Sequence, residues 1–198
     1  MNDIDASARQ NILNRIGEPK EWSVDLPDIP DYSVGGDPVR NFISKLEAFD
    51  GKAVRVADRA SAIEWLKANI PDGKTVFSAV DGFEGNFTVN ADTDPHSAHV
   101  VDVAVGNGLM GVGETGSVWV TDDSLGLTAC ALFATDLYLI VDKHDIVDGI
   151  HTAYSKLRLG DLRYGSFYTG PSATADIEAI HISGAQGPVS LTVLIIGA

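Results

Sequence analysis

The stretch VVDVAVGNGLMGVGETGSVWVTD, residues 100–122, decides how this chain folds. Its first six residues are apolar but for Asp102, with no polar alternation. A short run of that kind reads as a strand buried on both faces, which belongs in a parallel sheet covered on each side. Five glycines follow, at Gly106, Gly108, Gly111, Gly113 and Gly116, and then SVWVTD reads as a second strand over 117–122. A GETG turn joining two strands lets that one pair be antiparallel.

Outward from this stretch, strands and helices alternate. Downstream come a helix over 125–134, the strand DLYLIVD at 136–142, a helix over 144–159, and the strands YGSFYT and VSLTVLII. Upstream lie the strand KTVFSA at 74–79 and a helix over 59–70, capped by Asp58 and closed by Pro71. Before it stand the strand KAVRVA at 52–57 and a helical face of Val39, Phe42, Ile43, Leu46 and Phe49. Such alternation with short connections predicts an α/β fold on a mainly parallel, layered sheet. At the start, Ile4, Ala8, Ile12 and Ile16 recur every four residues, and Gly17 and Pro19 stop that helix. The proline-broken segment to Pro38 is long for a loop inside a compact domain. The expected organisation is therefore an N-terminal helical arm and linker, 1–38, and an α/β domain, 39–198.

Charge narrows the partners. The 198 residues carry 28 acids and 14 bases, a net charge of −14. Nucleic-acid binding needs cations that displace counterions from phosphates, and an anionic membrane surface needs them too. Neither is expected. The single cysteine, Cys130, lies in the apolar run LTACALFA and reads as a small buried hydrophobe. It cannot form an internal disulfide, nor supply the four thiolates of an iron–sulfur cluster. The N-terminus has no apolar signal region, and no apolar run reaches the ~20 residues of a membrane helix. A soluble, cytoplasmic protein is expected.

Three segments have residues suited to chemistry. In Gly106–Ser117, glycines let the backbone approach a ligand, and Glu114 is the one charge. Glu114 reads either as a catalytic carboxylate or as the capping acid of a glycine-rich turn. The segment lacks the Gly-Lys-Ser/Thr of a phosphate-binding loop, and its GxGxxG string leads to a turn and a strand rather than a crossover helix. The second segment is GPSATADIEAIHISGAQGP, residues 170–188, with two Gly-Pro steps. Ser172 or Thr174 can cap a short helix, with Asp176 and Glu178 at its positive end. It reads either as a site for a small anion or as a structural turn that needs glycine and caps. The third comprises His144, Asp148 and His151 along the predicted helix, and Asp94, His96 and His99 in a loop. Both have metal-ligand spacing; both are read as solvated polar groups, and no metal site is expected.

The strings GPSATADIE and GAQGP before a hydrophobic terminal strand resemble the C-terminal signature of the LUD-domain family, whose best-known member is lactate utilisation protein C. VDVAVGNGLMGVGETGSVWV is similar to that family's buried strand, acidic Thr-Gly-Ser turn and apolar strand. SARQNILNRI resembles its N-terminal helix, and DLYLIVDKHDIV its next strand. The resemblance implies a fold similar to the sugar-phosphate isomerase and CoA-transferase (NagB/RpiA) group. It implies a cluster-free subunit of an L-lactate-oxidising complex, with iron–sulfur clusters on partner subunits and no cofactor on this chain. The implied pocket sets Glu114, Thr115, Gly116 and Ser117 opposite Gly170, Ser172, Thr174, Asp176 and Glu178. Where relatives usually carry a basic residue, a histidine and another basic residue, this chain has Ala173, Gln186 and Val189. Each lost charge-assisted contact weakens an anion by about 1.5–3 kcal/mol. Two alternatives stay open: a stand-alone enzyme resembling CoA transferases or folate cyclo-ligases with Glu114 as its carboxylate, and a non-catalytic interaction domain.

Overall fold

A computed structural model of the chain describes residues 3–16, 27–28, 30, 32, 35–90, 92–158, 160, 162–175, 181–184 and 186–197. The chain divides into two compact units, Met1–Asp31 and Tyr32–Ala198. The first contains helix α1 (Asp3–Ile16), whose Ile12, Leu13 and Ile16 are exposed.

The second unit opens with α2 (Pro38–Ala48), started by the Asp37 carboxylate, which accepts the Val39 N–H, and by Pro38 in the first turn. Then come β1 (Lys52–Val56), α3 (Arg59–Asn69) and β2 (Val76–Ser78). Asp58 caps α3 by accepting the Ser61 N–H at 2.8 Å. A 3₁₀ turn (Pro95–Val100) leads into β3 (Val103–Asn107), followed by β4 (Met110–Val112) and β5 (Ser117–Thr121). Two short helices, α4 (Asp122–Leu125) and α5 (Thr128–Phe133), return the chain to β6 (Asp136–Asp142). After them lie β7 (Ile146–Val147), α6 (Ile150–Lys156), β8 (Gly165–Tyr168), the pair β9 (Ala173–Ala175) and β10 (His181–Ser183), and β11 (Ser190–Ile196).

Five strands form one wholly parallel sheet in the order β1-β11-β6-β3-β2. The α/β class with a mainly parallel sheet is therefore present. Period-two alternation sends the strand residues to two buried faces. Leu137, Leu139, Val141, Val193 and Ile195 pack with Phe42 and Leu46 of α2 and Cys130 of α5. Ile140, Leu194, Val103 and Val105 pack with Ala62 and Leu66 of α3. A second sheet, ordered β7-β4-β5-β8, holds the antiparallel pair expected at the GETG turn, with Val112 opposite Ser117.

Three expectations change. The run at 100–105 begins as the last residue of the 3₁₀ turn, because Asp94 and Pro95 start that turn and Val101 N–H closes it on Ala98 O. The strand starts at Val103. The helix over 144–159 is replaced by a 3₁₀ turn (Lys143–Asp145), β7 and the shorter α6. Ile146 and Val147 there are buried partners of Gly111 and Val112. Finally, Ser172 and Thr174 cap no helix: Thr174 sits in β9 opposite Ile182, and Ser172 Oγ accepts the Gln186 N–H at 3.3 Å.

Candidate functional site

Glu114 follows β4 on the side where the parallel strands β3 and β6 end. Its N–H donates to Asp148 O at 2.7 Å, and its Oε2 accepts the Ile150 N–H at 2.9 Å. Gly149, the residue that precedes α6, has no capping side chain of its own. Glu114 thus caps α6 from another part of the chain, supplying the acceptor and negative charge that a helix start favours. Of the two readings of this acid, the geometry displays the capping one.

The rest of the turn is tied down along α2. Gly116 has φ +67°, and a Cβ there would lie 2.3 Å from Leu46 N. Ser117, 5% exposed, hydrogen bonds Thr115 Oγ1 at 2.7 Å and the Thr169 hydroxyl. Thr169 leads directly into Gly170, with φ +64°, where a Cβ would fall 2.0 Å from Phe49 O. Only glycine fits either position without moving α2. The two sequence signatures therefore meet along one helix, joined by a chain of three hydroxyls.

They do not share the wall of one hollow: Gly170 and Ser172 line it, and Glu114, Thr115, Gly116 and Ser117 do not. Gly113 abuts Pro38 at the start of α2, and Gly170 abuts Phe49 just past its end. Eleven residues at 1.5 Å per residue separate those points by ~16 Å. The acidic turn reaches from the first end, at Gly113, to Leu46 near the second, at Gly116, and Gly170 packs just past that end. Thr174 is exposed, and Asp176 and Glu178 lie outside the described residues. The sequence argument that ligands sit beyond the carboxyl ends of strands applies to Glu114 but not to Ser172. Ser172 is at the amino edge, where Ser172 N–H donates to Pro188 O and Val189 N–H to Thr135 O, just before β6.

At that amino edge is a hollow of about 230 Å³ lined by both Gly-Pro steps, Gly170-Pro171 and Gly187-Pro188. Leu132, Leu137, Tyr164, Tyr168, Thr169, Ser172 and Gln186 complete its wall. Tyr164 and Tyr168 share a hydroxyl–hydroxyl hydrogen bond of 2.8 Å. Burial, reinforced by that bond, pushes the Tyr168 hydroxyl far above the ordinary phenol range. The tyrosines were missed as site residues, although their spacing of four along a strand-like run places both on one face. Phe167, on the other face, packs on Trp119 with ring centroids 4.8 Å apart. Ala173 and Val189 flank the hollow's Ser172 and Pro188, so the three departures from the family pattern gather around one place.

The histidine sets hold no metal arrangement. His144 and His151 fall in different elements, and Asp94 accepts the His96 N–H at 2.9 Å while His99 Nδ1 pairs with His96 O. Among the described residues, no three His, Cys, Asp or Glu side chains gather as metal ligands. Cys130 is buried, and burial pushes its thiol up to about 11. No described helix is long and apolar enough to cross a membrane.

A parallel sheet buried on both faces, with a small mixed sheet carrying the acidic turn, defines the class: a layered α/β domain. The model of the LUD domain matches residues 95–196, and the chain belongs to the LUD-domain family, which is associated with lactate utilisation in general. Among solved structures, a DUF162 family protein from Deinococcus radiodurans is similar at 15% identity and a TM-score of 0.58. The match covers 81% of this chain and 96% of that one, and it supports the fold alone. No curated protein matches the chain significantly.

Proposed function

We propose that this chain is a cluster-free subunit of a cytoplasmic assembly that oxidises L-lactate to pyruvate, with the iron–sulfur clusters on its partner subunits. The observation that carries this reading is the LUD-domain match over 95–196, which contains both the ETGS turn and the two Gly-Pro steps. The side-chain chemistry is compatible with it. One buried cysteine cannot supply the four thiolates of a cluster, which is compatible with clusters on partner subunits. Glu114 is engaged with the Ile150 N–H, whereas a carboxylate acting as nucleophile or base must reach its substrate within about 2.6–3.2 Å. The stand-alone thioester or cyclo-ligase reading therefore has less support.

The test is deletion of the gene in a host that carries it. Growth on L-lactate as sole carbon source is expected to stop, while growth on pyruvate continues. Undiminished growth on L-lactate would end the proposal.

A further inference from the structure

We infer that the hollow at the amino edge of the parallel sheet binds a small uncharged ring compound with a hydrogen-bond acceptor, and discriminates against carboxylates. This goes beyond the lactate reading and holds whether or not the chain joins an assembly.

The walls set the ligand's character. Pro171, Pro188, Tyr164 and Tyr168 offer ring surfaces, and Leu132 and Leu137 add aliphatic contact. Such walls favour a flat apolar body. The volume, about 230 Å³, is below the roughly 300 Å³ at which pockets for drug-sized ligands begin, so a single ring is the appropriate size. Among the described residues, the polar groups on the wall are neutral. The two tyrosine hydroxyls share one hydrogen bond. Whichever donates, the other keeps its own proton to offer a ligand carbonyl. Ser172 and Gln186 stand on the same wall.

Electrostatics disfavours an anion. Among the described residues that line the hollow, none is charged. Two helices, α2 and α5, also finish at this edge: Phe49 beyond α2 touches Gly170, and Leu132 of α5 lines the wall. Helix C-termini carry partial negative charge. A carboxylate would lose water there without gaining a cation. A ligand carbonyl would meet an O–H donor instead.

The experiment uses three probes of one shape: benzamide, benzoate and benzylammonium. Amide chemical shifts of the full chain are followed during titration with each. Benzamide is expected to move the Gly170, Ser172 and Gly187 signals in a saturable way, and to bind at least about tenfold more tightly than benzoate, the ratio that about 1.4 kcal/mol produces. Leu132→Trp, at a rim position 41% exposed, should remove benzamide binding while the spectrum elsewhere stays folded. Gln186→Arg, at an exposed position, should raise benzoate affinity. Benzoate or benzylammonium binding as tightly as benzamide, or no saturable shift at these three residues, would overturn the inference. If Leu132→Trp perturbs the fold, the shift map and the ratio among the three probes in the unmodified chain decide alone.

Discussion

Replacing Glu114 with alanine should weaken the fold rather than only an activity. The carboxylate is half-buried and accepts the first N–H of α6 at 2.9 Å. Losing a helix cap costs typically ~1 kcal/mol, and a hydrogen bond to a charged group is worth about 1.5–3 kcal/mol. Partial exposure places the expected loss between them, at about 1–2 kcal/mol. A chain of this size loses roughly 2–4 °C in Tm per kcal/mol, so a fall of roughly 2–8 °C is expected. Glu114→Gln retains a carbonyl oxygen on the same stem and should lose less than about 1 kcal/mol, the charge contribution at a helix start. The location of the effect can be checked through Gly149, where a Cβ would lie 3.2 Å from Glu114 Oε2. Gly149→Ala should displace the carboxylate, so the double variant should be less destabilised than the sum of the two singles. Urea unfolding followed by circular dichroism measures the unmodified chain and all four variants. An unchanged midpoint for Glu114→Ala, or strict additivity with Gly149→Ala, would refute the capping role.

Further outcomes are expected elsewhere. Gly170→Ala must place a side chain at φ +64° and into Phe49 O; the conformation alone costs about 1–2 kcal/mol, and a drop in Tm larger than that for Glu114→Ala checks it. Cys130, with its thiol pushed up to about 11 by burial, should resist iodoacetamide at pH 8 in the folded chain and react in urea, as intact mass will show. The Thr75 N–H at 2.8 Å, helped by Lys74, lowers the Asp102 carboxyl from its ordinary value. The stability it lends is complete above the unfolded pKa of about 3.9 and is lost as pH falls through the lower folded value. Asp102→Asn should therefore flatten the acid-side decline in unfolding free energy measured from pH 5 down to pH 2.

The sequence discloses the parallel sheet because its strands are buried on both faces. DLYLIVD carries Leu137, Leu139 and Val141 to one side and Ile140 to the other, and the strand spans the same seven residues in the structure. Asp58 and Pro71 likewise bracket α3. The predicted helix over 144–159 failed for a tertiary reason. Ile146 and Val147 also satisfy a helical apolar period, but β4 offers them a strand partner, which periodicity alone cannot reveal. Site geometry was less legible still. The sequence marks Glu114 and Ser172 as unusual turns, yet only the fold shows that both turns pack along α2 and that Glu114 faces α6 rather than the hollow. Tyr164 and Tyr168 read as ordinary strand residues until β11 and β6 bring Pro188 and Leu137 beside them.

The most direct test of the central claim is electron paramagnetic resonance on the assembly purified through a tag on this chain from cells grown on L-lactate. The account predicts an iron–sulfur signal that appears when L-lactate is added, and none from the chain purified alone. An assembly whose spectrum is indifferent to L-lactate, or an isolated chain that oxidises L-lactate unaided, would contradict it.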